Sequence, residues 1–156
     1  MAQPLMNPAV QTNNIENLTI NTAAPFILLA EDDIDDQELL IEAISLHEKA
    51  MQIHSVSNGK KAILLLESLP VSHLPCLIVL DYNLPEANGA QILNFLSQQE
   101  RYHAIPKVVW STSNSPVYRD ACLELGAKAY FTKPSDVSGI TSLAKEILAF
   151  CEISDC

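Results

Sequence analysis

Five short apolar runs divide this chain, at 26–30, 51–56, 76–81, 107–111 and 128–132, and each is followed by a stretch with helical spacing. The third run, Cys76-Leu77-Ile78-Val79-Leu80-Asp81, is the most informative. A run that apolar and that short reads as a strand buried on both faces, as in a parallel sheet. Asp81 stands where that strand ends. In open α/β sheets ligands bind at this edge, so a carboxylate there is placed for chemistry more than for packing. The plain alternative is an aspartate capping a turn before Pro85.

The intervening stretches have helical signatures. From Ile34 to Glu48, Ile34, Ile41 and Ile44 share a face with Leu40 beside them, and Asp35, Asp36 and Glu38 lie in the first turns, where the helix dipole favours acids. Ala62, Leu66 and Leu69 are in register between Lys60 and Leu69, after an Asn58-Gly59 turn. Asn88-Gly89 opens the next helix, with Leu93 and Leu96 facing the core. Ser115-Pro116 is a cap followed by proline at the first helical position, and Gly126 supplies the C-terminal turn. A final helix, 136–150, steps through Val137, Ile140, Ala144, Ile147 and Cys151. The 51–56 run is the less apolar one and is expected nearer an edge. Strand–helix repeated five times, with right-handed crossovers, predicts an α/β fold: a doubly wound parallel sheet with helices on both faces.

The 156 residues are expected to form one domain. Residues 1–24, rich in Asn, Thr, Pro and Ala, are expected to be a disordered leader or a remnant; 25–152 form the domain and 153–156 a tail. At 48% hydrophobic the chain can bury a real core. The net charge is −10 and the nine basic residues form no stripe, so direct nucleic-acid binding is not expected. Eight of the nineteen acids lie between Glu31 and Glu48, which suits a cation site or a basic partner. Cys76, Cys122, Cys151 and Cys156 show no pairing or metal spacing and are expected to be free thiols, in keeping with a reducing cytoplasm. His47, His54, His73 and His103 are expected at the surface or in loops. No membrane span or signal peptide is visible.

Every strand end except the second carries a distinct polar group: Glu31 and Asp32, then Asp81, then Ser111 and Thr112, then Lys133. A parallel sheet brings these to one edge. Three carboxylates crowded together repel, and a divalent cation among them would keep them ionised. An all-oxygen site that retains waters is typical of Mg²⁺. Carboxylate nucleophile, metal, lysine and hydroxyl donor together make a phosphoryl-transfer site, with Asp81 attacking phosphorus. Each residue also has a plain structural reading: Lys133 a surface lysine, Ser111 a strand-end cap, Glu31 a helix-start acid.

The pieces LLAEDD (28–33), IVLDYNLPEANG (78–89), VVWST (108–112) and AYFTKP (129–134) resemble the response-regulator receiver domain of two-component systems, over roughly residues 25–152. The resemblance implies a flavodoxin-like (βα)5 sheet in strand order 2-1-3-4-5. It implies Asp81 as phosphoacceptor, Asp32 as a direct Mg²⁺ ligand, Glu31 as one through water, and the Asn83 backbone carbonyl completing the metal site. Ser111 would be the switch hydroxyl, Tyr130 the switch aromatic that swings inward, and Lys133 the active-site lysine, with Lys133–Pro134 cis. The implied partner is a sensor histidine kinase or phosphotransfer protein. A homodimer through the face of the fourth helix, fifth strand and last helix, carrying Val117, Leu123 and Tyr130, is a further expectation. Only Glu152 to Cys156 follows the domain, so no DNA-binding or enzymatic output domain is expected. LLAEDDIDDQELL and WSTS also resemble the subgroup that partners phytochrome-type sensor kinases.

Three departures from the family pattern stand out. The stretch between Asp32 and Asp81 is longer, with the excess placed at 70–75; Asn88-Gly89 replaces Asp-Gly; and Asp33 adds an acid beside the pair. Two rivals stay open. One is an aspartate-nucleophile Mg²⁺ phosphatase of the haloacid-dehalogenase type, although Asn83 stands where that class needs a second acid. The other is a phosphorylation-independent pseudo-receiver, although its usual losses are not seen here.

Overall fold

The computed structural model describes residues 24–154; the leader expected at 1–24 lies almost wholly outside them, as do residues 155–156 of the expected tail, whose first two residues close the last helix. Ten main elements alternate: β1 (Phe26–Ala30), α1 (Ile34–His47), β2 (Gln52–Val56), α2 (Gly59–Ser68), β3 (Leu77–Asp81), α3 (Gly89–Ser97), β4 (Lys107–Ser111), α4 (Pro116–Glu124), β5 (Ala129–Thr132) and α5 (Val137–Ser154). Short 3-10 turns at Val71–His73 and Glu100–Tyr102 sit in the connections before β3 and β4. The five strands form one parallel sheet in the order β2-β1-β3-β4-β5, with β2 at an edge as its weaker hydrophobicity predicts.

Alternation along each strand assigns the two faces. Ile27, Leu29, Leu77, Val79, Val108 and Trp110 point to one side, where α1 and α5 cover them. Leu28, Ala30, Ile78, Leu80, Val109 and Tyr130 point to the other, beneath α2, α3 and α4. Every residue of β1, β3 and β4 is buried, which explains the unbroken apolar runs.

Local chemistry starts the helices where the sequence predicts. Asn88 caps α3 in a reciprocal capping box with Gln91, and Ser115 caps α4 with Pro116 after it. Gly126, at φ 106°, ends α4 in the left-handed turn that glycine adopts at low cost.

Four expectations are corrected. Ile34 is 59% exposed and Val137 65% exposed: each opens its helix, and the buried faces of α1 and α5 begin with Leu40 and Ile140. His54 is buried in β2, its ring edge-on to Phe26 at 4.9 Å between centroids. Cys76 and Cys151 are joined in a disulfide with Cα atoms 5.6 Å apart, because α5 lies against the entry to β3. The inference from free thiols to a reducing compartment fails with it. Cys122 is free as expected, and buried; Cys156 lies outside the described residues. No peptide bond among the described residues is cis, so Lys133–Pro134 takes the trans form, the lower in energy by about 0.5–1 kcal/mol for an X–Pro bond. Among the described residues no helix is long and apolar enough to cross a membrane.

Candidate functional site

The C-terminal ends of β1, β3 and β5 converge on one lysine. Lys133 directly follows β5 and is anchored by its own N–H, which donates to the Ser111 carbonyl at 2.7 Å. Its ammonium lies 2.8 Å from Glu31 Oε1, 2.8 Å from Asp36 Oδ2 and 3.3 Å from Asp81 Oδ2. Glu31 is held by its backbone N–H, which donates to the Val56 carbonyl at 3.0 Å and extends the β1–β2 ladder by one residue. Its Oε2 accepts from the Asp33 N–H at 3.0 Å. Asp81 Oδ1 accepts from the Asn83 N–H at 3.2 Å. Glu31 and Asp81 are buried, whereas Asp32 faces solvent.

The electrostatics follow from burial and crowding. Burial, aided by the charge of Asp81, outweighs the hydrogen bonds from Lys133 and the Asp33 N–H, and pushes the Glu31 carboxyl up to about 7. Burial works against the Lys133 ammonium. The hydrogen bonds to Asp36 and Glu31 and the charges of Asp81 and Glu31 outweigh it and hold the group above the ordinary lysine range. The ammonium also stands 4.8 Å over the centre of the Trp110 ring, a cation–π contact on a fully buried indole.

The residue set fits a divalent cation. Glu31, Asp32 and Asp81 each offer a carboxylate oxygen, all within 4.8 Å of one another. Glu31 Oε1 is buried, and its partner is the Lys133 ammonium 2.8 Å away, which it shares with Asp36 and Asp81. One ammonium shared among three carboxylates, with Asp32 beside them, leaves the cluster short of positive charge. Hard oxygen donors with an exposed member suit an ion that keeps waters. Asp33, the extra acid, is not part of the cluster; its Oδ1 accepts from the Asp36 N–H at 3.1 Å and caps α1.

Ser111 and Tyr130 lie on the opposite face of the sheet from Trp110, by the same alternation. Ser111 is fully buried and its hydroxyl accepts from the Ser113 N–H at 3.1 Å; Thr112 beside it is exposed. Tyr130, expected to swing inward, is already 9% exposed here, its hydroxyl donating to the Ser113 carbonyl at 2.8 Å. Of the face expected to dock a partner, Val117 and Leu123 are exposed and Tyr130 is not.

The structure thus gathers Glu31, Asp32, Asp81 and Lys133 directly, with Asn83 and Ser111 at the adjoining strand ends. Sequence reasoning missed three participants. Asp36 was read as an acid favoured by the helix dipole, yet it grips Lys133. Trp110 appears in the sequence only as part of the apolar run VVWST, with nothing to mark its contact with Lys133. Tyr82, next after Asp81, stacks on Tyr118 of α4. The only sequence signal for Asp36 was its place in the first turn after the Glu31-Asp32 pair.

The family model of the response regulator receiver domain matches residues 27–145. The two-component response regulator ORR11 of Oryza sativa subsp. indica is 32% identical over 131 residues, which span 84% of this chain and 86% of that one. The two-component response regulator ARR8 of Arabidopsis thaliana is 27% identical over 146 residues, 84% of this chain and 64% of its own. Among solved structures, the phosphorylated cyanobacterial phytochrome response regulator RcpA matches with a TM-score of 0.75 at 28% identity, covering 83% of this chain and 94% of that one. The Mn²⁺-bound form of response regulator Rcp1 matches at 0.72 and 28%, covering 81% and 93%.

Proposed function

The chain belongs to the response-regulator receiver family, and on that premise we propose that Asp81 accepts a phosphoryl group from a histidine of a sensor kinase or phosphotransfer protein. A carboxylate oxygen of Asp81 attacks phosphorus, the phosphorus–nitrogen bond breaks, and the imidazole leaves with its electron pair. The observation that carries this reading is the Lys133 ammonium, which reaches Asp81 and Glu31 at once from beyond β5. A charge fixed there neutralises the oxygens of the transferred group as they gather charge.

Glu31, Asp32, Asp81 and the Asn83 carbonyl would hold Mg²⁺, with Asp32 in direct contact and Glu31 through water. The metal would supply further neutralisation of the phosphoryl oxygens. Ser111 would turn its hydroxyl from the Ser113 N–H toward the phosphoryl group, and Tyr130 would respond on the same face. The resulting change in the surface of α4, β5 and α5 is the output, read by a target or by a second copy of the chain. The likeness to RcpA, a phytochrome response regulator, supports a phytochrome-type kinase as donor.

The test is phosphorylation by acetyl phosphate with Mg²⁺, followed by intact mass. Wild type gains one phosphoryl group; Asp81→Asn gains none while keeping its fold by circular dichroism. An unchanged wild-type mass would leave the pseudo-receiver reading standing. Continuous release of phosphate from a generic ester would favour the phosphatase.

A further inference from the structure

Lys133 is shared among more carboxylates than phosphoryl transfer needs. An ammonium has three protons. Here it donates to Asp36 and Asp81 and also faces Glu31, and it stands 4.8 Å from the centre of the Trp110 ring. Its side chain is only 8% exposed, so an arriving phosphoryl oxygen competes with a partner already in place.

The three carboxylates differ in what release would cost them. The Glu31 side chain is fully buried, and freed from Lys133 it would keep only the Asp33 N–H; stranding a buried carboxylate is expensive. Asp81 is the group that becomes bonded to phosphorus. Asp36 is 28% exposed and lies in the first turn of α1. Once released it is solvated by water and favoured by the helix dipole. Asp36 is therefore the partner that Lys133 gives up at the lowest cost.

We propose that Asp36 is a placeholder: it holds Lys133 in the unmodified protein and yields it to the phosphoryl oxygens when Asp81 is modified. This deepens the receiver reading and rests on it. Asp36 acts through Lys133 and is a positioning residue. The handover also unties the first turn of α1 from the end of β5, so modification of Asp81 is felt on the α1 side of the sheet as well as on the α4 side.

The experiment is a titration with beryllofluoride in the presence of Mg²⁺, read by Trp110 fluorescence, on wild type, Asp36→Asn, Asp36→Ala and Asp35→Asn. Asp35 is an exposed acid in the same turn, so its variant removes the same charge beside the same site. Asp36→Asn and Asp36→Ala should bind beryllofluoride about two- to fivefold more tightly, the weight of a partly exposed ion pair. Asp35→Asn should match wild type. A merely structural Asp36 would lower the stability of bound and free protein alike and leave the affinity unmoved. Unchanged or weaker binding by both Asp36 variants, or an equal gain in Asp35→Asn, overturns the placeholder. Failure of the wild type to bind beryllofluoride overturns the receiver reading, and the placeholder with it.

Discussion

Tyr82, the residue after Asp81, lies flat against Tyr118 of α4, with ring centroids 4.3 Å apart and planes 14° from parallel. The stack links the end of β3 to α4 directly, without passing through Ser111 and Tyr130. Tyr118→Ala should cost about 0.5–1.5 kcal/mol beyond the lost contact area. It should also reduce amide protection along Pro116–Glu124 and shrink the exchange differences that beryllofluoride produces there. Ser111→Ala should accept phosphate yet lose the response at Tyr130. If α4 amides respond equally in wild type and Tyr118→Ala, the stack carries no signal.

Gly59 opens α2 against the loop after β3. A side-chain carbon at Gly59 would overlap the carbonyl oxygen of Ala87, and the Gly59 N–H donates to the Pro85 carbonyl at 3.0 Å. The obstacle is backbone, which cannot turn aside as a side-chain tip can. Gly59→Ala should therefore destabilise the protein by about 1–3 kcal/mol, as overpacking does. A urea midpoint equal to wild type would contradict this packing.

The Cys76–Cys151 disulfide closes a separation of 75 residues between the entry to β3 and α5. Reduction should lower stability by about 2–4 kcal/mol, most of it through a freer unfolded chain. Denaturation midpoints with and without reductant measure this. Cys151→Ala should be insensitive to reductant, and a wild type equally insensitive would show that the bond does no such work.

Burial lowers the pKa of His54 from its ordinary 6.5. The unfolded chain then binds the proton more readily than the folded one, so stability is full above pH 6.5 and declines as pH falls through 6.5 toward the folded value. Between about pH 8 and about pH 5, wild type should lose more stability than His54→Gln. Parallel losses in the two proteins would remove His54 as a source of the pH dependence.

The sequence alone determined the architecture and which strand-end residues stand at one edge of the sheet. Five apolar runs, all but the second with a distinct polar group at its end, are local patterns, and with right-handed crossovers they leave one sheet edge where Glu31, Asp32, Asp81, Ser111 and Lys133 can meet. The caps at Asn88 and Ser115 and the turn at Gly126 were equally legible, because their chemistry lies within a few residues. Tertiary structure alone decided which groups touch across the sheet. Asp36 meets Lys133 across 97 positions of chain. Cys151 meets Cys76 because α5 lies over the entry to β3, and His54 lies under Phe26 through the register of two strands. Such contacts depend on sheet twist, helix placement and rotamer choice, and none of these leaves a spacing in the sequence.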